Sequence, residues 1–174
     1  QFVPYFLYCF SIGLLEESIF RGNVFPLFLY AFPRSKKGMF YAVTASSAVF
    51  GAMHLLNLFG GFSPAVFLQV GYSFLIGCTC ALVMLFTGNL FFAVAVHSLF
   101  DLGGFLYDCF GTGVLWTKEN VIVTAVVSVI MAGLMVFFFF KRDLSAVYDK
   151  WNIREKYSSG DAEKAEKETN GQKK

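Results

Sequence analysis

The chain has 174 residues, of which 56% are hydrophobic and 19% aromatic, with 23 Phe and only 15% charged residues. That balance excludes an ordinary soluble domain, and a net charge of +2 gives no basis for expecting a nucleic-acid partner. Of the 26 Asp, Glu, Lys and Arg residues, 16 lie from Lys141 onward, so the first 140 residues carry just ten and read as an integral membrane protein whose first partner is the lipid bilayer.

In chain order, apolar runs of about 20 residues, the length that crosses a bilayer, recur between short polar breaks. Five spans are expected. The first covers Phe2 to Phe32 and is over-long, with Pro26 set to kink or break it. The next four run from Met39 to Phe59, Ala65 to Phe86, Leu90 to Tyr107 and Val121 to Phe140, joined by connections at 33–38, 60–64, 87–89 and 108–120. The fold class is therefore all-α, a polytopic transmembrane helical bundle with an interior polar cavity. The chain has no initiator Met and starts apolar without a basic n-region, so the 1–140 core is expected to be part of something longer, lacking N-terminal helices.

Basic residues stay on the cytoplasmic side. Arg34, Lys36 and Lys37 place 33–38 there, and five crossings then return Lys141 and Arg142 to the same side, with the first residue of the chain outside. After the last span, 141–157 puts Leu144, Val147, Tyr148 and Trp151 on one helical face, the pattern of a short amphipathic helix lying on the membrane. Residues 158–174 have nothing larger than Ala to bury and read as a solvated, disordered tail. The Phe run at 137–140 is expected to face lipid. Cys9, Cys78, Cys80 and Cys109 have neither zinc-site nor disulfide spacing and read as unpaired thiols.

Few ionisable residues lie well inside the spans: Glu16, Glu17, Arg21 and Asp101, joined by the two histidines of the chain, His54 and His97. A charge at the bilayer centre costs about 2.5–3.5 kcal/mol on insertion scales, so such residues face a protein interior and mark function. Helical spacing lets Glu17 pair with Arg21 and sets His97 beside Asp101. Glu16 is rotated about 100° from Glu17, free to face a cavity. One free carboxylate, two imidazoles and a second carboxylate suit amide hydrolysis. Glu16 with His54 would activate water, and His97 would donate to the oxyanion with Asp101 fixing its tautomer or orientation. The same four residues, Glu16, His54, His97 and Asp101, could instead hold one divalent metal such as zinc. The sequence leaves both mechanisms open.

These residues carry a family resemblance. EESIFR at 16–21 resembles an EExxxR motif, FGAMH at 50–54 an FxxxH motif, and HSLFD at 97–101 an HxxxN or HxxxD motif of the CAAX protease and bacteriocin-processing (CPBP, or Abi) family, which includes the type II CAAX prenyl endopeptidases. The resemblance implies an intramembrane endopeptidase acting on a peptide or protein substrate at the membrane. By it, Glu16, His54, His97 and Asp101 are catalytic, and Glu17, Arg21 and Phe50 are supporting, with Phe50 packing the pocket wall. Asp101 stands where better-known eukaryotic members have Asn. An ionised Asp cannot donate to an oxyanion, so Asp101 orients His97, binds metal or is protonated. Short loops and small size look bacterial and point to a bacterial cytoplasmic membrane. Two other functions fit less of the pattern: a non-proteolytic immunity or scaffold member of the same family, and a proton-coupled transporter.

One expectation is internally strained. From the predicted helix ends, His97 lies about 10 Å from the cytoplasmic side and His54 about 21 Å, at ~1.5 Å per residue. Either the 87–89 turn is sunk into the protein or the second span begins later than Met39.

Overall fold

The computed structural model describes residues 2–111 and 117–151, and among these there is no strand. The predicted tail at 158–174 and the end of the predicted surface helix at 152–157 lie outside the described residues, as do 112–116 of the last long connection. The elements are α1 (Phe2–Ile19), a π-helical turn (Phe20–Val24), α2 (Phe25–Ala31), α3 (Lys36–Met53), a 3-10 helix (His54–Gly60), α4 (Ala65–Thr87), α5 (Leu90–Phe110), α6 (Lys118–Lys141) and α7 (Ser145–Lys150).

Among the described residues, four helical stretches are long and apolar enough to cross a membrane: Phe2–Ala31, Lys36–Gly60, Ala65–Thr87 and Val121–Lys141. The predicted fourth span is α5, whose apolar stretch, Leu90–Leu106, is shorter. Its whole length of 21 residues still reaches about 30 Å. The molecule is thus a helical membrane bundle. α1 packs along α5 and α3 along α4, while α4 and α5 join the two pairs and α6 sits on the flank of α4.

Pro26 neither breaks nor ends the first helix. The preceding turn widens instead: the Phe25 amide bonds the Phe20 carbonyl five residues back, and α2 starts with Pro26 in its first turn. A proline lacks the amide and crowds the carbonyl four residues behind it, and a first-turn position avoids both problems. The widened turn falls on Arg21, four residues after the second glutamate.

α3 opens at Lys36, three residues before the expected Met39, because the Ser35 side chain caps it by accepting from the Gly38 amide at 3.0 Å. This removes the later-start explanation for the depth mismatch. The 87–89 turn is not sunk either, since its three residues are exposed, but it is braced by the chain that follows α6. Gly88 ends α4 in the left-handed region, φ 66°, with the Lys150 side chain beside it. Lys150 Nζ donates to Phe86 O at 2.6 Å and Trp151 Nε1 to Leu85 O at 2.9 Å, so both residues cap carbonyls in the last turn of α4.

The same contacts revise the surface helix. Leu144 and Val147 are buried in the main apolar cluster with Phe25, Leu29, Met39, Ala42, Val43, Ala81 and Leu85, and Trp151 packs against it. Leu144, Val147 and Trp151 of the predicted apolar face thus pack on the bundle, and the side chain of Tyr148 lies outside the described residues. Phe139 likewise joins the cluster, 3% exposed, whereas Phe137 and Phe140 stay largely exposed as expected. The four cysteines are free thiols. An apolar cavity of about 140 Å³ lies between α3, α4 and α6, lined by Val43, Phe74, Cys78, Leu82, Met135 and Phe139 among others.

Candidate active site

The two glutamates at the end of α1 have unequal surroundings. Glu17 is fully buried, and its Oε1 lies 3.0 Å from Arg21 Nη1 and 2.6 Å from His97 Nδ1. Glu16 keeps 30% of its side chain exposed and sets Oε2 at 3.5 Å from His97 Nε2. His97 therefore stands between the adjacent carboxylates, one at each ring nitrogen. Its neighbour on α5 is Asp101, with Oδ1 at 3.8 Å from Nε2. That is too long for a hydrogen bond, and Asp101 Oδ2 is buried without a hydrogen-bond partner among the described residues.

This geometry reassigns the orientation of His97. Glu17, paired with Arg21, can only accept, so His97 Nδ1 carries a proton and donates it. The tautomer is thus fixed by Glu17 from α1, where the sequence had offered Asp101. With Nδ1 protonated, Nε2 holds a lone pair in the neutral ring and a second proton in the charged ring, and in either state it faces Glu16 and Asp101.

The burial of Arg21, at 1% exposure, is offset by three contacts. Beside the Glu17 pair, Nη2 donates to Gly77 O of α4 at 2.7 Å, and the guanidinium lies 4.6 Å from the centre of the Phe50 ring. Phe50 is the hub of the ring contacts around these residues. Its ring meets Phe20 at 4.8 Å, His54 at 5.2 Å and His97 at 5.7 Å, each edge to face.

His54 is held by a local irregularity. α3 changes to the 3-10 helix here, and the His54 amide bonds Ala52 O and Gly51 O instead of Phe50 O four residues back. The freed Phe50 carbonyl accepts from His54 Nδ1 at 3.1 Å. A carbonyl only accepts, so Nδ1 is again the protonated nitrogen and the neutral ring keeps Nε2 as an acceptor. The structure shows no direct ion pair between His54 and Glu16, the partner expected for it. The two histidines instead each meet the ring of Phe50.

A family model described as type II CAAX prenyl endopeptidase Rce1-like matches residues 1–103, more than half of the chain and all three motifs. The chain belongs to this family. No curated protein matches, and no solved structure does. Membership of the Rce1-like family gives the bundle a CAAX-protease-like function at the membrane in general terms. It assigns no role to any one side chain.

Two sets of donors in the Rce1-like site bear on a metal. Glu16 and Asp101 each approach His97 Nε2, but His54 is tied to its own helix and has no carboxylate partner among the described residues. The described donors that converge within 4.8 Å are Glu17, Cys80 and His97. Two ligands on one zinc ion stand more than about 3 Å apart at ~2.0–2.1 Å bond lengths and tetrahedral angles, whereas Glu17 Oε1 and His97 Nδ1 are 2.6 Å apart and share a proton. Arg21 adds a positive charge at the same oxygen. The Glu17, Cys80 and His97 set therefore does not fit a divalent ion as arranged. The approach of Cys80 had no signal in the sequence, because its spacing from every His and acidic residue is irregular.

Proposed function

We propose that the chain is an intramembrane endopeptidase that hydrolyses a peptide bond with a carboxylate-activated water. The carrying observation is the division of His97 between two carboxylates: Glu17 fixes Nδ1 as donor, and Nε2 faces the partly exposed Glu16. A base exposed to substrate beside an oriented donor is the minimum set for amide hydrolysis.

Glu16 takes a proton from water as the water oxygen bonds the scissile carbonyl carbon. The carbonyl oxygen, now an oxyanion, accepts a hydrogen bond from Nε2 of the charged His97 ring. When the carbon–nitrogen bond breaks, Glu16 returns its proton to the leaving amine, so one water yields one carboxylic acid and one amine. Asp101, as a carboxylate 3.8 Å from Nε2, balances the charged ring rather than donating to the oxyanion. His54, with Nδ1 committed to Phe50 O, offers an accepting Nε2 to a water or to the leaving amine. The substrate is a peptide or protein segment that reaches the site at the membrane.

Replacing Glu16 by Gln keeps shape and removes the base. In a proteomic comparison of membranes carrying the parent or Glu16→Gln chain, new cleavage ends should appear only with the parent. His54→Ala should lower turnover by ~10²–10⁴-fold, as loss of an acid–base group does. Cleavage that survives Glu16→Gln in a folded, inserted chain would sink this reading and leave binding as the function.

A further inference from the structure

We propose that Gly13 is a positioning residue for His97: it lets α1 and α5 approach closely enough for Glu16 and Glu17 to meet the imidazole. Gly13 lies one helical turn before Glu17, is buried, and faces the residue that follows His97. A Cβ at Gly13 would stand 2.5 Å from Ser98 Oγ, 3.2 Å from Ser98 N and 3.3 Å from Val94 O. The first contact is closer than a Cβ can stand, and the short, buried Ser98 side chain that makes it forces the helices apart. The other two, to α5 backbone atoms, ask for a shift of only a few tenths of an ångström.

The consequences are specific because of how the site is divided between helices. Glu16 and Glu17 come from α1, and His97 and Asp101 from α5, so the separation of the two helices sets the 2.6 Å and 3.5 Å distances to His97. The His97–Asp101 distance lies within α5 and is unaffected. A hydrogen bond at 2.6 Å weakens once its atoms part by several tenths of an ångström. Ser98 Oγ marks the tightness of the contact, being buried without a hydrogen-bond partner among the described residues.

The inference rests on the endopeptidase reading only for its effect on turnover, and the test separates the two. His54 and His97 are the only histidines of the chain, so ¹⁵N-histidine labelling of the full chain in nanodiscs reports on His97 directly, with His54→Gln for assignment. Gly13→Ala should shift the His97 Nδ1 resonance away from its Glu17-bonded position and lower kcat by about 100-fold, the scale of a small misplacement of reacting groups, with KM little changed. Gly13→Ala with Ser98→Ala, which removes the closest contact, should return the resonance and most of the turnover. Gly133→Ala on α6, where a Cβ meets nothing within 4 Å, should change neither.

Unchanged His97 resonances in Gly13→Ala would overturn the proposal, as would a double variant that fails to restore them. Should Gly13→Ala not fold, the double variant decides. Parental His97 resonances in it support the spacing role, and displaced resonances or a second failure to fold overturn it. A parent chain that cleaves nothing removes the endopeptidase reading and leaves the resonance test of Gly13 standing.

Discussion

At the scale of single residues, one oxygen, Glu17 Oε1, serves both Arg21 and His97. Removing one partner of a buried pair leaves an uncompensated charge, a loss of about 3–5 kcal/mol. Arg21→Ala should therefore unfold at markedly lower denaturant or temperature. Glu17→Gln with Arg21→Met removes both charges together and should recover much of that stability. The double variant should still be inactive, because the neutral amide that replaces the Glu17 carboxylate can donate as well as accept and no longer enforces a donating Nδ1 on His97. Parallel unfolding and turnover assays check this, and full activity in the double variant would refute the orienting role of Glu17. The pairs legible in the sequence, Glu17 with Arg21 and His97 with Asp101, are four apart on one helix and follow from its period alone. The pair that matters more, Glu17 with His97, joins residues 80 apart. It depends on how α1 and α5 are rotated and spaced, which no local pattern encodes.

At the scale of elements, two departures from α geometry among the described residues both begin at or contain motif residues. The π turn carries Arg21, and the change to 3-10 frees the carbonyl that holds His54. Pro26 signalled an interruption, but only the structure shows a widened turn in place of a break. The end of α4 shows a third local arrangement, in which Lys150 and Trp151 supply donors to its terminal carbonyls and Trp151 also packs on Phe25 at 5.8 Å. The α4–α5 turn sits at the start of the helix that carries His97. Trp151→Phe keeps the packing and loses one hydrogen bond, a loss of about 1 kcal/mol. Trp151→Ala loses both, a loss of up to about 3 kcal/mol. Thermal unfolding of the two variants should rank them in that order below the parent, and equal stability of parent and Trp151→Ala would show that this segment does not brace the turn. The amphipathic pattern of 144–151 was legible. Its target was not, because a bundle end and a membrane surface ask for the same apolar face.

At the scale of the molecule, hydropathy was enough for the helical bundle and for four of its crossings, since each span must satisfy its own backbone in lipid and announces itself by length and composition. The arrangement of the spans was less legible, because lipid-facing and protein-facing apolar residues look alike in sequence: Phe139 is buried and Phe137 is not. One long-range inference from sequence has a counterpart in packing. The basic clusters at 34–37 and 141–142 were assigned to one side by charge, and the structure brings the two segments together, with Lys36 Nζ donating to Phe140 O at 3.2 Å and Arg34 3.5 Å from Asp149. The start of α3 and the end of α6 thus share one end of the bundle, whichever way the bilayer is crossed. Loops rich in Lys and Arg favour the cytoplasmic side, so this end should be cytoplasmic and the 60–64 connection should be outside. In a chain with its four cysteines replaced, Ser35→Cys and Ser145→Cys should react with an impermeant thiol reagent only after the membrane is opened, and Ser63→Cys should react from outside. Labelling of Ser35→Cys and Ser145→Cys from opposite sides would contradict the packing, whereas labelling of both from outside would preserve the packing and reverse the orientation.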